Sequence, residues 1–224
     1  MHLRKATTKR AQRAASIERL LDAAQRLFVS QGYRQTNLDQ IATAADLTKG
    51  AVYFYFRSKE TVLLELLKRV QTIVVDEALK FAASASPRAA DQLVAFLHHQ
   101  SKLGVTHRDA VLLLILMSLE FSERKGAARN LLRRIYRRLY GFVESVIQVG
   151  QRSGEIRADV RGRELSAIVM AIHDGTFLEW YRRSPALGGP ELVRALRGVL
   201  LTGIAGRPAT PVAGSARRAQ ASIA

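Results

Sequence analysis

From Ser16 onward, apolar positions recur at helical spacing nearly to the C-terminus, with no run of strand-like alternation. Ile17, Leu20, Leu21, Ala24, Leu27 and Phe28 make one stripe and predict a first helix, ended by Gly32. Asn37, with Gln40 three residues on, predicts a short second helix opened by reciprocal side-chain bonds. Its inward face is Leu38, Ile41, Ala42 and Ala45. Asp46 and Leu47 make a tight corner, and Thr48 caps a third helix through Phe56. Ser58 caps a fourth, from about Lys59 to Ala83, with Val62, Leu63, Leu66, Leu67, Val70 and Val74 on its apolar side.

Ser86 as cap and Pro87 at the first helical position predict a fifth helix that stops near Gly104. Further stretches run from about Arg108 to Lys125, Ala127 to Arg152, Arg161 to Arg183, and Pro190 to near Gly203. From Gly206 the chain is rich in Pro, Gly, Ala and Arg, a composition that predicts a disordered tail.

Charge narrows the partners. Thirty-five Lys and Arg stand against nineteen Asp and Glu in 224 residues, a net of +16. Such an excess points to polyanions, nucleic acid first and an anionic membrane surface second. The longest apolar run, Ala110 to Met117, is eight residues, against the roughly 20 needed to span a bilayer. No apolar segment follows the basic N-terminus, so no secretory signal is expected and the cytoplasm is the expected compartment. With no cysteine, disulfides, thiolate metal sites and cysteine nucleophiles are excluded. His98, His99, His107 and His173 lack the spacing of a zinc motif, and no phosphate-cradling loop or nucleophile elbow occurs. Neither catalysis, metal nor cofactor is expected.

The second helix, corner and third helix have the proportions of a helix-turn-helix, in which a small first helix crosses beneath one that enters the major groove. Ile41-Ala42-Thr43-Ala44-Ala45 permits the close crossing, and Asp46 tolerates left-handed corner geometry. The third helix is expected to bury Val52 and Phe56 and to present Lys49, Gly50, Ala51, Tyr53 and Tyr55. Gly50 and Ala51 allow backbone to approach base edges. The Tyr53 and Tyr55 hydroxyls and the Lys49 and Lys59 ammonium groups suit phosphates.

The stretch Arg19 to Phe28, then Gly32-Tyr33, Thr36, Ile41-Ala42 and Lys49 to Glu60, resembles the TetR/AcrR signature over about the first 60 residues. The resemblance implies an all-α homodimer: an N-terminal three-helix helix-turn-helix DNA-binding domain and a C-terminal helical ligand-binding and dimerisation domain. It places phosphate contacts at Thr36, Tyr53 and Lys59 and base-reading positions at Lys49, Gly50, Ala51 and Tyr55; Asn37 and Thr48 complete the expected DNA-binding set. Two departures stand out: Asn37 where Ser or Thr is usual, and Asp46 where Gly is usual. The expected division is a flexible basic arm over 1–15, the DNA-binding domain over 16–60, the effector and dimerisation domain over 61–205, and the tail over 206–224.

Residues 1 to 59 hold eleven Lys and Arg against four Asp and Glu. The leading arm could follow a phosphate backbone or enter the minor groove, so removal of residues 1 to 14 is expected to weaken operator binding and lower its salt slope. In the C-terminal half, Ala167, Ala171 and Gly175 make a small-residue stripe beside Leu192, Leu196 and Val199, an expected dimer interface. Phe96, His99, Met117, Phe121, Tyr136, Tyr140, His173, Phe177 and Trp180 are the candidate lining of an effector pocket, which suits a small, mostly hydrophobic molecule. The Arg run from Arg129 to Arg138 reads as a solvated helix face. The expected function is a repressor that binds an inverted-repeat operator and leaves it when effector binds, with tilting of the fourth helix as the link. An activator, or an architectural protein that binds nucleic acid without sequence preference, are the other readings. The architectural one predicts no cavity.

Overall fold

The computed structural model describes residues 2–206, with side chains from Lys9 onward. Its helices are α1 (His2–Ser30), α2 (Leu38–Ala44), α3 (Lys49–Tyr55), α4 (Lys59–Val70), α5 (Glu77–Ala85), α6 (Ala89–Thr106), α7 (Arg108–Glu120), α8 (Ala127–Ser153), α9 (Gly162–Arg183) and α10 (Gly189–Ile204). Among the described residues there is no strand beyond a single bridge between Ile156 and Ala205. The all-α class is therefore observed.

Caps written into the sequence set most boundaries. Asn37 and Gln40 make both bonds of a capping box, Asn37 Oδ1 accepting the Gln40 N–H at 2.9 Å and Gln40 Oε1 accepting the Asn37 N–H at 2.8 Å. The Thr48 hydroxyl accepts the Ala51 N–H at 3.2 Å, and Ser58 caps α4 through Thr61. Four boundaries differ from expectation, one of them the end of the predicted sixth helix, α7, which stops at Glu120 rather than near Lys125. The segment before Ser16 is not a flexible arm but the front of α1, which is helical from His2. The predicted fourth helix is α4 and α5 joined by a π-helical stretch, Gln71–Asp76. There the Gln100 side chain donates to the Val74 carbonyl at 3.0 Å, a partner outside the helical ladder. The predicted fifth helix starts two residues late, because the Ser86 hydroxyl accepts the Arg88 N–H and leaves Pro87 in the turn. Of the expected disordered tail, residues 207–224 lie outside the described residues.

One continuous core runs from Leu20 to Ile204. α1 packs across α2, α4 and α7, so the N-terminal helices are bonded onto the rest rather than tethered to it. α6, α8, α9 and α10 pack against one another at the far end. None of the described helices is long and apolar enough to cross a membrane.

Candidate DNA-reading surface and effector cavity

The corner between α2 and α3 is closed by backbone. Leu47 N–H donates to Ala42 O at 2.9 Å and Asp46 N–H to Thr43 O at 3.0 Å, the paired bonds of a Schellman ending. That ending needs a left-handed residue after the cap, and Asp46 supplies it with φ +53°. Glycine would do so without steric cost. Here the Arg19 guanidinium holds the corner from α1, donating to the Ala45 carbonyl and, at 2.8 Å, to that of Asp46.

With the corner held, α3 turns a defined face outward. Val52 is fully buried and Phe56 nearly so, while Thr48, Lys49, Gly50 and Tyr53 are exposed and Ala51 is half-buried. Tyr55 is not presented as expected. It is half-buried and packs on the core, and Phe54, at 76 % exposed, stands out instead. The reason is helical periodicity: Tyr55 and Phe56 lie three and four residues after Val52 and share its face, which leaves 53 and 54 outward. That signal was in the spacing of the four aromatics.

Two expected phosphate contacts are spent internally. Thr36 is only 1 % exposed; its hydroxyl donates to Gly32 O at 2.9 Å and accepts from Gln31 at 3.1 Å. The Lys59 ammonium donates to Tyr33 O and Thr36 O, each at 2.7 Å, and lies 4.3 Å from the centre of the Tyr33 ring. Burial pushes the Lys59 ammonium down from its ordinary value, assisted by Arg124. Its role in this geometry is to lash the α1–α2 loop to the start of α4. Lys49, by contrast, is on the surface and bonded to Asp39 at 2.6 Å; that hydrogen bond raises its pKa. A phosphate would compete with Asp39 for the same ammonium.

The N-terminal helices meet α7 at a junction of rings and charges. Tyr33 lies between Phe28 and Phe121, with ring centres 5.2 and 5.1 Å away. Arg34 donates to Glu120 at 2.8 Å and Arg124 bonds the same carboxylate. The Arg34 hydrogen bond, with Arg124 nearby, holds the Glu120 carboxyl below its ordinary range.

The far end of the molecule holds a cavity of about 630 Å³ between α6, the start of α7, α9 and α10. Of the nine expected lining residues, His173, Phe177 and Trp180 do line it, together with Gln100, Val111 and Val193. Phe96 and Met117 are instead closed into the core, and Phe121 belongs to the junction with Tyr33. Tyr136 lies against Tyr140, their ring centres 6.2 Å apart, away from the cavity, and burial raises the pKa of both. His99 lies beside Phe81, the two rings tilted with centres 5.1 Å apart, and burial lowers its pKa. Each was aromatic at helical spacing, which core residues share. Gly104, two residues before the end of α6 as expected, makes room: a Cβ there would come 3.0 Å from the Phe177 ring. In the expected dimer stripe Ala167, Ala171, Gly175 and Val199 are all exposed, but Leu196 is buried and lines the cavity, as does half-buried Leu192.

Residues 20–66 match the family model described as "Bacterial regulatory proteins, tetR family". The crystal structure of the MbdR regulator from Azoarcus sp. CIB is 46 % identical, covers 84 % of this chain and 98 % of its own, and superposes with a TM-score of 0.77. The chain belongs to the TetR family. TetR proteins are transcription regulators, so this chain is a DNA-binding regulator and not an enzyme. A fatty acid metabolism regulator protein of Bacillus subtilis is 24 % identical over 188 residues, 83 % of this chain and 93 % of that one. The fold is also that of AibR, solved with isovaleryl coenzyme A and operator DNA: 20 % identity, 83 % of this chain, 98 % of that one, TM-score 0.72.

Proposed function

We propose that this TetR regulator is a dimeric repressor acting in the cytoplasm, which binds an inverted-repeat operator through α3 and leaves it when a small, mostly hydrophobic effector enters the α6–α9–α10 cavity. Residues 16–60 read DNA and residues 61–205 hold effector and partner. Thr48, Lys49, Gly50, Ala51 and Tyr53 meet the duplex directly, with Asn37 at the neighbouring helix start; Thr36, Tyr55 and Lys59 act by holding that surface in place. A small-molecule effector is further supported by AibR, whose structure holds both an acyl coenzyme A and operator DNA.

The observation that carries the reading is the course of α7. Its Val111 lines the cavity, and Glu120 at its other end is bonded to Arg34 of the α1–α2 loop. α7 thus touches both sites, where the sequence had suggested helix four as the link. A ligand that displaces Val111 has a direct mechanical route to the α1–α2 loop. Dimerisation is supported by the stripe Ala167, Ala171 and Gly175 with Ile168 and Val199, 49 % and 67 % exposed, which no other part of the described chain covers. A Cβ added at Gly175 would meet nothing within 4 Å.

Selection from a random duplex pool tests the DNA half: an inverted repeat should be enriched, and enrichment of no sequence would reject it. Thermal shift with isovaleryl coenzyme A, stearoyl coenzyme A and a set of lipophilic carboxylates tests the effector half. The ligand that raises the melting temperature should also release the selected duplex, and binding without release would reject repression by effector.

A further inference from the structure

We propose that the front of α1 and the outer end of α3 form a second seat for DNA, a groove that takes the phosphodiester backbone flanking the major groove entered by α3. This rests on the DNA-binding reading above and adds to it a wall on α1, from Lys9 to Arg19, that precedes the matched family region, which begins at residue 20.

The groove encloses about 690 Å³ between Lys9, Gln12, Arg13, Ala15, Ser16 and Arg19 on one side and Phe54 and Tyr55 on the other. It exists because α1 is helical from His2. A flexible arm would have no wall to offer. Lys9 and Arg13 are four residues apart, on one face of the helix and about 6 Å along its axis. Neither makes an ion pair among the described residues, and no acidic side chain lines the groove. The chain carries five Lys and Arg before its first acid, Glu18.

Two of the other polar groups there are already engaged. Ser16 donates to Gln12 O at 3.0 Å, and Arg19 holds the α2–α3 corner. Lys9 and Arg13 are left as unspent cations facing a common space. Across from them Phe54 is 76 % exposed on a seven-residue helix whose Lys49, Gly50 and Tyr53 are also exposed. An aromatic so placed is costly in water and suits the apolar edge of a deoxyribose. Cations opposite a phenyl ring match the alternation of phosphate and sugar along one strand. Because α3 is about 10 Å long and the major groove about 12 Å wide, a duplex seated on Lys49 and Gly50 brings a flanking strand to Phe54. A phosphodiester backbone fits this charge and shape, and the contact would add affinity without base preference.

The test is the salt dependence of binding to a duplex selected by the wild-type protein. Lys9→Gln with Arg13→Gln should reduce the slope of log affinity against log salt by about 1.8, two phosphates' worth at about 0.9 each. Arg10→Gln removes the same charge from the same helix outside the groove and should leave the slope nearly unchanged. Phe54→Ala should weaken binding several-fold with no change of slope. An unchanged slope in the double variant overturns the proposal, as does an equal loss per charge in Arg10→Gln, which would mean diffuse attraction. Unaltered affinity of Phe54→Ala rejects the sugar contact and with it the groove. If selection enriches no sequence, the base-reading proposal fails, and the same titrations on the unselected pool still decide this one.

Discussion

The DNA-facing end and the cavity-bearing end are built from similar helices, yet they spend their polar groups in opposite ways. Around α1 to α3 nearly every turn is fastened by a named bond: Asn37 with Gln40, Thr48 with Ala51, Arg19 on the corner carbonyls, Lys59 on the carbonyls of Tyr33 and Thr36. Phe28 beneath them is fully buried. Around the cavity, Phe177 and Trp180 are only partly covered and about 630 Å³ is left unfilled. A surface that must present side chains to a rigid duplex gains from being preorganised. A site that must admit a molecule needs space and gives up packing energy to have it.

The sharpest way to break this contrast is to remove one ring from each end. Phe28→Ala should cost about 4 kcal/mol, because the site is closed on all sides. Phe177→Ala should cost about 1 kcal/mol, since it enlarges a space already open. Denaturant midpoints at constant slope would measure both. Equal losses would mean the cavity end is packed as tightly as the DNA end.

A smaller effect sharpens the account of the corner. Asp46 has φ +53°, so Asp46→Ala should lose about 1 kcal/mol and Asp46→Gly should hold or gain stability. The exposed pair with Arg19 at 3.3 Å contributes little to either outcome. If Asp46→Gly were the worse of the two, the carboxylate rather than the backbone angle would be holding the turn.

The smallest effect lies at the junction between the two ends. Arg34 and Arg124 depress the pKa of Glu120 in the folded protein. The stabilisation is thus present above its ordinary value of 4.5 and fades as the pH falls through the lower folded value. Glu120→Gln should cost less than about 1 kcal/mol near neutrality and shrink the difference from wild type in acid. Melting curves from neutral pH down to pH 3 would show it, and a difference that grows in acid would contradict the sign.

The N-terminal end was the more legible from sequence because its determinants are local. Caps, the corner and the burial of Val52 and Phe56 follow from residues within four positions of one another. The same local rule, applied to Tyr55 and Phe54, would have exchanged their roles. At the cavity end, the aromatic pattern marked core and lining alike, and Phe96 and Phe177 carry the same signal with opposite outcomes.

By itself, then, the chain determined its helical class, most helix boundaries and the reading motif, since each depends on hydrogen bonds and faces inside one or two turns. Only the tertiary structure decided that Lys59 serves a loop 23 to 26 residues away and that Arg19 serves a corner 26 to 27 residues away. It also decided that α1 begins at His2 and runs beside Phe54 from Lys9 to Arg19, and that α6, α7, α9 and α10 leave a space. Those outcomes depend on which helix faces meet, and contacts between distant segments leave no period in the sequence for a local reading to find.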